Sequence, residues 1–174
     1  EDTQTVTITI TGTNDTPDIS AAGTGDSAAE GLDETDAGLT VTGTLTVTDE
    51  DEPDDVDLIV DTTVGTTGGT YAGTLAAGFG GGWLTLTQAQ VPAAETDESN
   101  VDWSFNSATE NFDFLAEGET LVLTYTVRAT DTSGAPITGE SDEDTQTVTI
   151  TIPGTNDTPD SSAAGTGDSA AEGL

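Results

Sequence analysis

Asp49 and Asp51 stand on alternate positions just past an alternating run that ends at Val47, and Asp131 stands at the corresponding end of the run Leu121–Ala129. Carboxylates so spaced converge where a chain turns at the end of a strand, and that is the setting calcium needs. The ion takes six to eight oxygens at about 2.3–2.6 Å from carboxylates, amides and backbone carbonyls of loops able to fold around it. With 34 Asp and Glu, no His and no Cys, the usual ligands for zinc, copper and haem are missing. Oxygen donors suited to calcium, or less readily magnesium, remain. The same acids also have a plainer reading as solvated turn residues, because Asp and Asn favour turns through local hydrogen bonds. That reading fits Asp54, Asp55, Asp142 and Glu143 better than the metal one.

The remaining chemistry is sparse. Arg128 is the lone basic residue, so there is no Lys for a Schiff base or an isopeptide crosslink, no His base and no Cys nucleophile. Hydrolysis by paired carboxylates is the only catalysis left, and the chain reads as a non-enzyme. A formal charge of −33 excludes nucleic acid as a partner and opposes adsorption to an anionic membrane. No stretch has the apolar length of a membrane span. Such a polyanion repels itself unless salt screens it or divalent cations neutralise it. Acidic, Thr-rich, cysteine-free sequence fits an extracellular setting.

Residues 1–32 return almost letter for letter as residues 143–174, with Thr11 replaced by Pro153 and Ile19 by Ser161. An offset of 142 positions marks the period of a tandem array. The organisation expected is a last strand of a preceding repeat over 1–13, a complete repeat over 14–155, and a linker with the first segment of the next repeat over 156–174. Pro17 and Pro159, which cannot continue a strand ladder, mark the linkers.

Alternation with period two is the dominant secondary-structure signal, and helical periodicity is nearly absent. Val6, Ile8 and Ile10 predict a half-buried strand, repeated by Val148, Ile150 and Ile152. Leu39, Val41, Leu45 and Val47 predict another, with Gly43 read as a bulge or bend. Short strands are expected at 56–60, 71–75, 83–87 and 101–105. The strongest is 121–129, with Leu121, Leu123, Tyr125, Val127 and Ala129 inward. Seven to nine strands with short polar connections predict an all-β fold, an antiparallel β-sandwich of the immunoglobulin type. Since such a sandwich needs about 100 residues, the excess is placed in a loop or hairpin over 78–100 and in the approach 131–144.

The run VRATDTSGAPITGESDEDTQTVTITIPGTNDTP (residues 127–159), with GTLTVTDEDEPDD (43–55) and LAEGETLVLTYTV (115–127), resembles the VCBS repeat of large bacterial surface adhesins of the RTX type. The same pieces are similar to the calcium-binding signatures of cadherin repeats, which share the sandwich fold. The resemblance implies a site in which Asn14, Asp15 and the Thr16 carbonyl of the incoming linker join Asp49, Asp51 and Asp131. At the opposite end it implies that Glu30, Glu117 and Glu119 meet Asn156 and Asp157 of the outgoing linker.

The resulting expectation is a calcium-rigidified spacer in a secreted bacterial adhesin or extracellular filament, with Ca2+ as its ion and adjacent identical repeats as its partners. Two alternatives stand beside it. One is a carbohydrate- or surface-binding sandwich that takes surface glycans through the 78–100 region and Trp83, although core packing is the commoner fate of such a Trp. The other is a filament subunit in which the strand over 3–11 is donated to a neighbouring chain. The NDT sequons at 14–16 and 156–158 are each followed by proline, and the strand Thr arrays read as solvated β-formers.

Overall fold

The computed structural model describes residues 1–51, 54–61, 65–66, 69–92, 99–132 and 141–157. Ten strands lie among them: β1 Asp18–Ser20, β2 Ala29–Gly31, β3 Thr40–Thr48, β4 Val56–Val60, β5 Gly65–Thr66, β6 Leu84–Leu86, β7 Gln90–Val91, β8 Ser99–Asn106, β9 Thr120–Asp131 and β10 Glu143–Pro153. They form two sheets, ordered β1-β3-β8-β6 and β2-β10-β9-β4-β7, with β5 pairing β9. The fold is an immunoglobulin-type β-sandwich.

Its centre is the antiparallel pair β9–β10, in register from Glu143 opposite Thr130 to Pro153 opposite Thr120. Every second residue of β9 from Leu121 to Asp131 is buried, so the alternation read from the sequence is the alternation of the core face. Val148, Ile150 and Ile152 of β10 are fully buried against it. Opposite lie Leu45, Val47, Val101, Trp103 and Phe105 of β3 and β8. The Tyr125 hydroxyl, at the buried end of its ring, donates to the Gly80 carbonyl at 3.1 Å. Burial pushes its pKa well above the ordinary phenol value.

Gly43 makes no bulge. It pairs with Trp103 in an unbroken β3–β8 register. A Cβ there would lie 2.4 Å from Trp103 Cζ2, so glycine is present because the indole lies across the backbone. The Trp103 Nε1–H donates to the Ser27 carbonyl at 2.9 Å, which holds the ring in place.

Two expected strands are not strands. Residues 71–75 lack ladder pairing and are tied to β9 by the Tyr71 N–H on the Thr120 carbonyl. The expected strand over 1–13 is unpaired among the described residues, and Val6, Ile8 and Ile10 are 80%, 81% and 89% exposed. The slot between β2 and β9 that this sequence fits is filled by its copy, β10. Of the regions expected to hold the excess length, 93–98 and 133–140 lie outside the described residues. Residues 76–83 form successive glycine turns leading into β6.

β2 runs parallel to β10, with Ala29, Glu30 and Gly31 opposite Thr149, Ile150 and Thr151. The bonding continues beyond β2, from the Leu32 N–H to the Thr151 carbonyl and from the Glu34 N–H to the Pro153 carbonyl. This pairing carries Glu34 to the end of the sandwich where β10 leaves it.

Candidate metal centres at the two ends of the sandwich

The first cluster forms where β3 and β9 end. Val47 anchors β3 in the core, so the chain emerges at Thr48 and turns through Asp49, Glu50 and Asp51. Asp49 is 4% exposed and Asp131 5%. One Asp49 oxygen, Oδ1, accepts the Asp51 N–H at 3.0 Å. Its Oδ2 is buried and has no hydrogen-bond partner. Burial raises the Asp49 pKa, against the lowering effect of the Asp51 N–H, and the charges of Asp131, Asp51 and Asp54 raise it further.

The incoming linker is clasped to this end. The Asp15 N–H donates to Asp51 Oδ2 at 2.5 Å, and the Thr16 hydroxyl donates to the Ser141 carbonyl at 2.5 Å. Asn14 is half-buried, with its amide nitrogen on the Asp15 carbonyl at 3.2 Å. Pro17 and Ile19 are buried and fix the chain beneath. An open cleft of ≈ 520 Å³ is bounded by Asp15, Thr16, Asp18, Asp49, Glu50 and Ser141. Thus Asn14, Asp15, Thr16, Asp49, Asp51 and Asp131 are gathered at one end. Asp54, read as solvated charge, is 8% exposed and adds to the same negative field.

The second cluster lies at the opposite end. Among the described residues, the trio of carboxylates whose oxygens all come within 4.8 Å of one another is Glu34, Asp113 and Asp157. Glu34 is 2% exposed. Its Oε2 accepts the Thr155 N–H at 2.9 Å and the Thr155 hydroxyl at 2.6 Å, whereas its buried Oε1 has no partner. Asp113 is presented by two buried neighbours in its loop, Phe112 and Leu115. Phe112 holds a left-handed φ of 67°, unfavourable for a bulky residue. Its ring packs against Phe79, Trp83 and Phe114 in compensation. Asp157 is exposed, and its pKa is raised by desolvation and then by the charges of Glu34, Asp113 and Asp36.

This second cluster differs from the set that the cadherin resemblance implies. Glu30 sits opposite Ile150 on the edge strand β2, bonded to the Ser27 hydroxyl, and faces a surface cleft beside Asp102 and Trp103. Glu34, four residues further along, is the one that reaches the level of the linker. Glu117 is exposed on the turn after Leu115. Glu119 spends its Oε2 on the Ala116 N–H at 3.0 Å, closing that same turn. Asn156 bonds the Asp157 carbonyl at 3.4 Å. Nothing in the spacing around Glu34 marks it as a ligand; the signal lay in the parallel pairing of β2 with β10, visible only in the fold.

Two other features are structural. Arg128 bridges Asp61 at 3.1 Å and Glu143 at 3.3 Å. The Trp83 ring, half-buried, is engaged edge-on by Phe79, Phe105 and Phe112.

No family model matches the sequence, and no curated protein matches it. Solved structures similar to the chain include an ASH/PapD-like domain of human CEP192, at 10% identity and a TM-score of 0.42 over 90% of this chain and 96% of that one. The periplasmic chaperone SfaE is similar at 8% identity and a TM-score of 0.41, over 82% and 59% of the two chains. A Bacteroides ovatus protein described as carbohydrate-binding follows at 11% identity and a TM-score of 0.37, over 78% and 36%. At these TM-scores the likenesses carry no functional argument. The chain is an immunoglobulin-type β-sandwich module with an acidic cluster at each end.

Proposed function

We propose that this module is a calcium-rigidified spacer, one unit of a repetitive secreted bacterial adhesin or extracellular filament of the kind the VCBS resemblance implies. One observation carries the reading. Each end of the sandwich holds a nearly fully buried carboxylate with an unpartnered oxygen, Asp49 Oδ2 and Glu34 Oε1, surrounded by further carboxylates. A buried anionic oxygen without a partner costs free energy that a bound cation removes. All donors are oxygens, which suits calcium.

The linkers connect the two ends. Asn14-Asp15 at one end and Asn156-Asp157 at the other are the same motif at an offset of 142 positions. In an array one linker serves both clusters at once, with its Asp carboxylate facing Glu34 and Asp113 of one unit and its backbone N–H on the Asp51 equivalent of the next. Ions held by Asp49, Asp51 and Asp131 with the incoming linker, and by Glu34 and Asp113 with Asp157, supply the positive charge that this polyanion lacks. They fix successive units in orientation.

Small-angle scattering of a chain of two units tests this. With calcium the maximum dimension matches two sandwiches end to end, and with chelator the profile broadens toward a flexible pair. Identical profiles with and without chelator overturn the proposal.

A further inference from the structure

The segment Thr3–Thr11 has no place in its own sandwich. Its apolar residues Val6, Ile8 and Ile10 are almost fully exposed, while the same residues of β10, Val148, Ile150 and Ile152, are fully buried between β2 and β9. We propose that residues 3–11 are a donor strand that seats in the β2/β9 slot of a second copy of this unit, in the register that residues 145–153 hold in cis. Thr7 then lies opposite Thr124 and Ala29, and Ile8 opposite Leu123 and Glu30, by the offset of 142.

The segment cannot fill its own slot. Residue 11 would have to reach the position of Pro153, at the end where β10 leaves the sandwich. Asp15 is held at the other end by Asp51. An eleven-residue strand such as β10 spans about 35 Å, and four residues of chain reach at most about 14 Å. The acceptor is therefore another copy: the preceding unit in an array, or a neighbouring molecule.

The one difference between the two strands that falls within the slot favours the donor. The parallel ladder to β2 steps by two, from the Thr149 N–H on the Ala28 carbonyl to the Leu32 and Glu34 N–H groups on the carbonyls of Thr151 and Pro153. The next donor in that series is residue 153, where proline has no N–H. Thr11 supplies one, aimed at the Leu32 carbonyl.

The test uses the full chain carrying Val148→Asp, Ile150→Asp and Ile152→Asp, which disable β10. Refolded at high concentration in calcium, it is expected to recover β-sheet circular dichroism only as head-to-tail oligomers, measured by light scattering. Adding Val6→Asp, Ile8→Asp and Ile10→Asp is expected to abolish both. Register is read by adding Thr7→Cys with Thr124→Cys to the β10-disabled chain, which has no other cysteine. Intermolecular disulfides are expected with that pair and lost with Thr7→Cys and Thr126→Cys, two residues out of step. The Thr149→Cys, Thr124→Cys variant of the otherwise intact chain checks that the site oxidises. An unfolded monomer, a folded monomer, oligomers that survive the Val6, Ile8 and Ile10 changes, or crosslinks indifferent to register would each overturn the proposal.

Discussion

Replacing Asp49 by Asn should reverse the sign of its effect on stability according to whether calcium is present. The Oδ1 bond to the Asp51 N–H, 3.0 Å long, is retained by an amide oxygen. At the Oδ2 position, buried and unpartnered, a repelled anion becomes an NH2 group facing the negative field of Asp131, Asp51 and Asp54. Relieving a desolvated, like-charged oxygen is worth about 1–2 kcal/mol. At about 3 °C per kcal/mol for a domain of this size, the melting temperature in chelator should rise by roughly 3–6 °C. In calcium the same change removes an anionic ligand. A hundredfold weaker Kd costs about 2.7 kcal/mol when the ion is in large excess. Set against the gain of about 1–2 kcal/mol from the relieved anion, it leaves a net loss of roughly 0.7–1.7 kcal/mol, and the melting temperature should fall by roughly 2–5 °C. Calorimetry of Asp49→Asn and the parent chain, in chelator and in millimolar calcium, reads both numbers. A fall under both conditions would make Asp49 an ordinary structural acceptor, and a rise under both would make it a buried liability with no ion to serve. Either result refutes the reasoning.

Further outcomes follow from the same geometry. The Asp49 and Asp157 carboxyls are raised in the folded state, so the native protein holds protons that the unfolded chain releases. Stability in chelator should therefore increase as pH falls from neutral toward the ordinary carboxylate range and be lost again as pH rises through the folded values; thermal melts across that interval check the sign, and calcium should flatten the curve at its neutral end. Titration calorimetry should show Glu34→Gln weakening calcium binding by roughly tenfold or more, while Glu30→Gln and Glu117→Gln leave it unchanged. Gly43→Ala should destabilise by about 1–3 kcal/mol through overpacking, since its Cβ would lie 2.4 Å from Trp103 Cζ2, and denaturant unfolding measures that loss.

The sandwich was legible where one strand carries the whole signal. In β9 a buried face and a half-buried face alternate along the whole strand, and in β10 they do so from Val148 to Pro153, so pattern and fold coincide there. β1 and β2 are three residues each, too short for any period, and they exist because neighbouring strands offer them an edge. Gly43 was legible as a special position but not for its reason, since the ring that requires it comes from residue 103. Asp49, Asp51 and Asp131 could be gathered from sequence because each follows a recognisable strand end. Glu34 could not be separated from Glu30 by spacing, because the choice is made by the register of β2 against β10.

That parallel register also decides how the module bears tension. A chain pulled through its two linkers is loaded first at β1, which follows Asp15 and is held by β3, and at β10, which precedes Asp157; beyond β1 the pull from the Asp15 side reaches β2, opposite in direction to the pull on β10. Because β2 and β10 run the same way, pulling slides them past each other, and the hydrogen bonds from the Thr149, Leu32 and Glu34 N–H groups are loaded together in shear. Antiparallel terminal strands would unzip one bond at a time under the same load. A three-residue edge strand laid parallel to β10 thus adds resistance along the axis on which the two linkers are pulled.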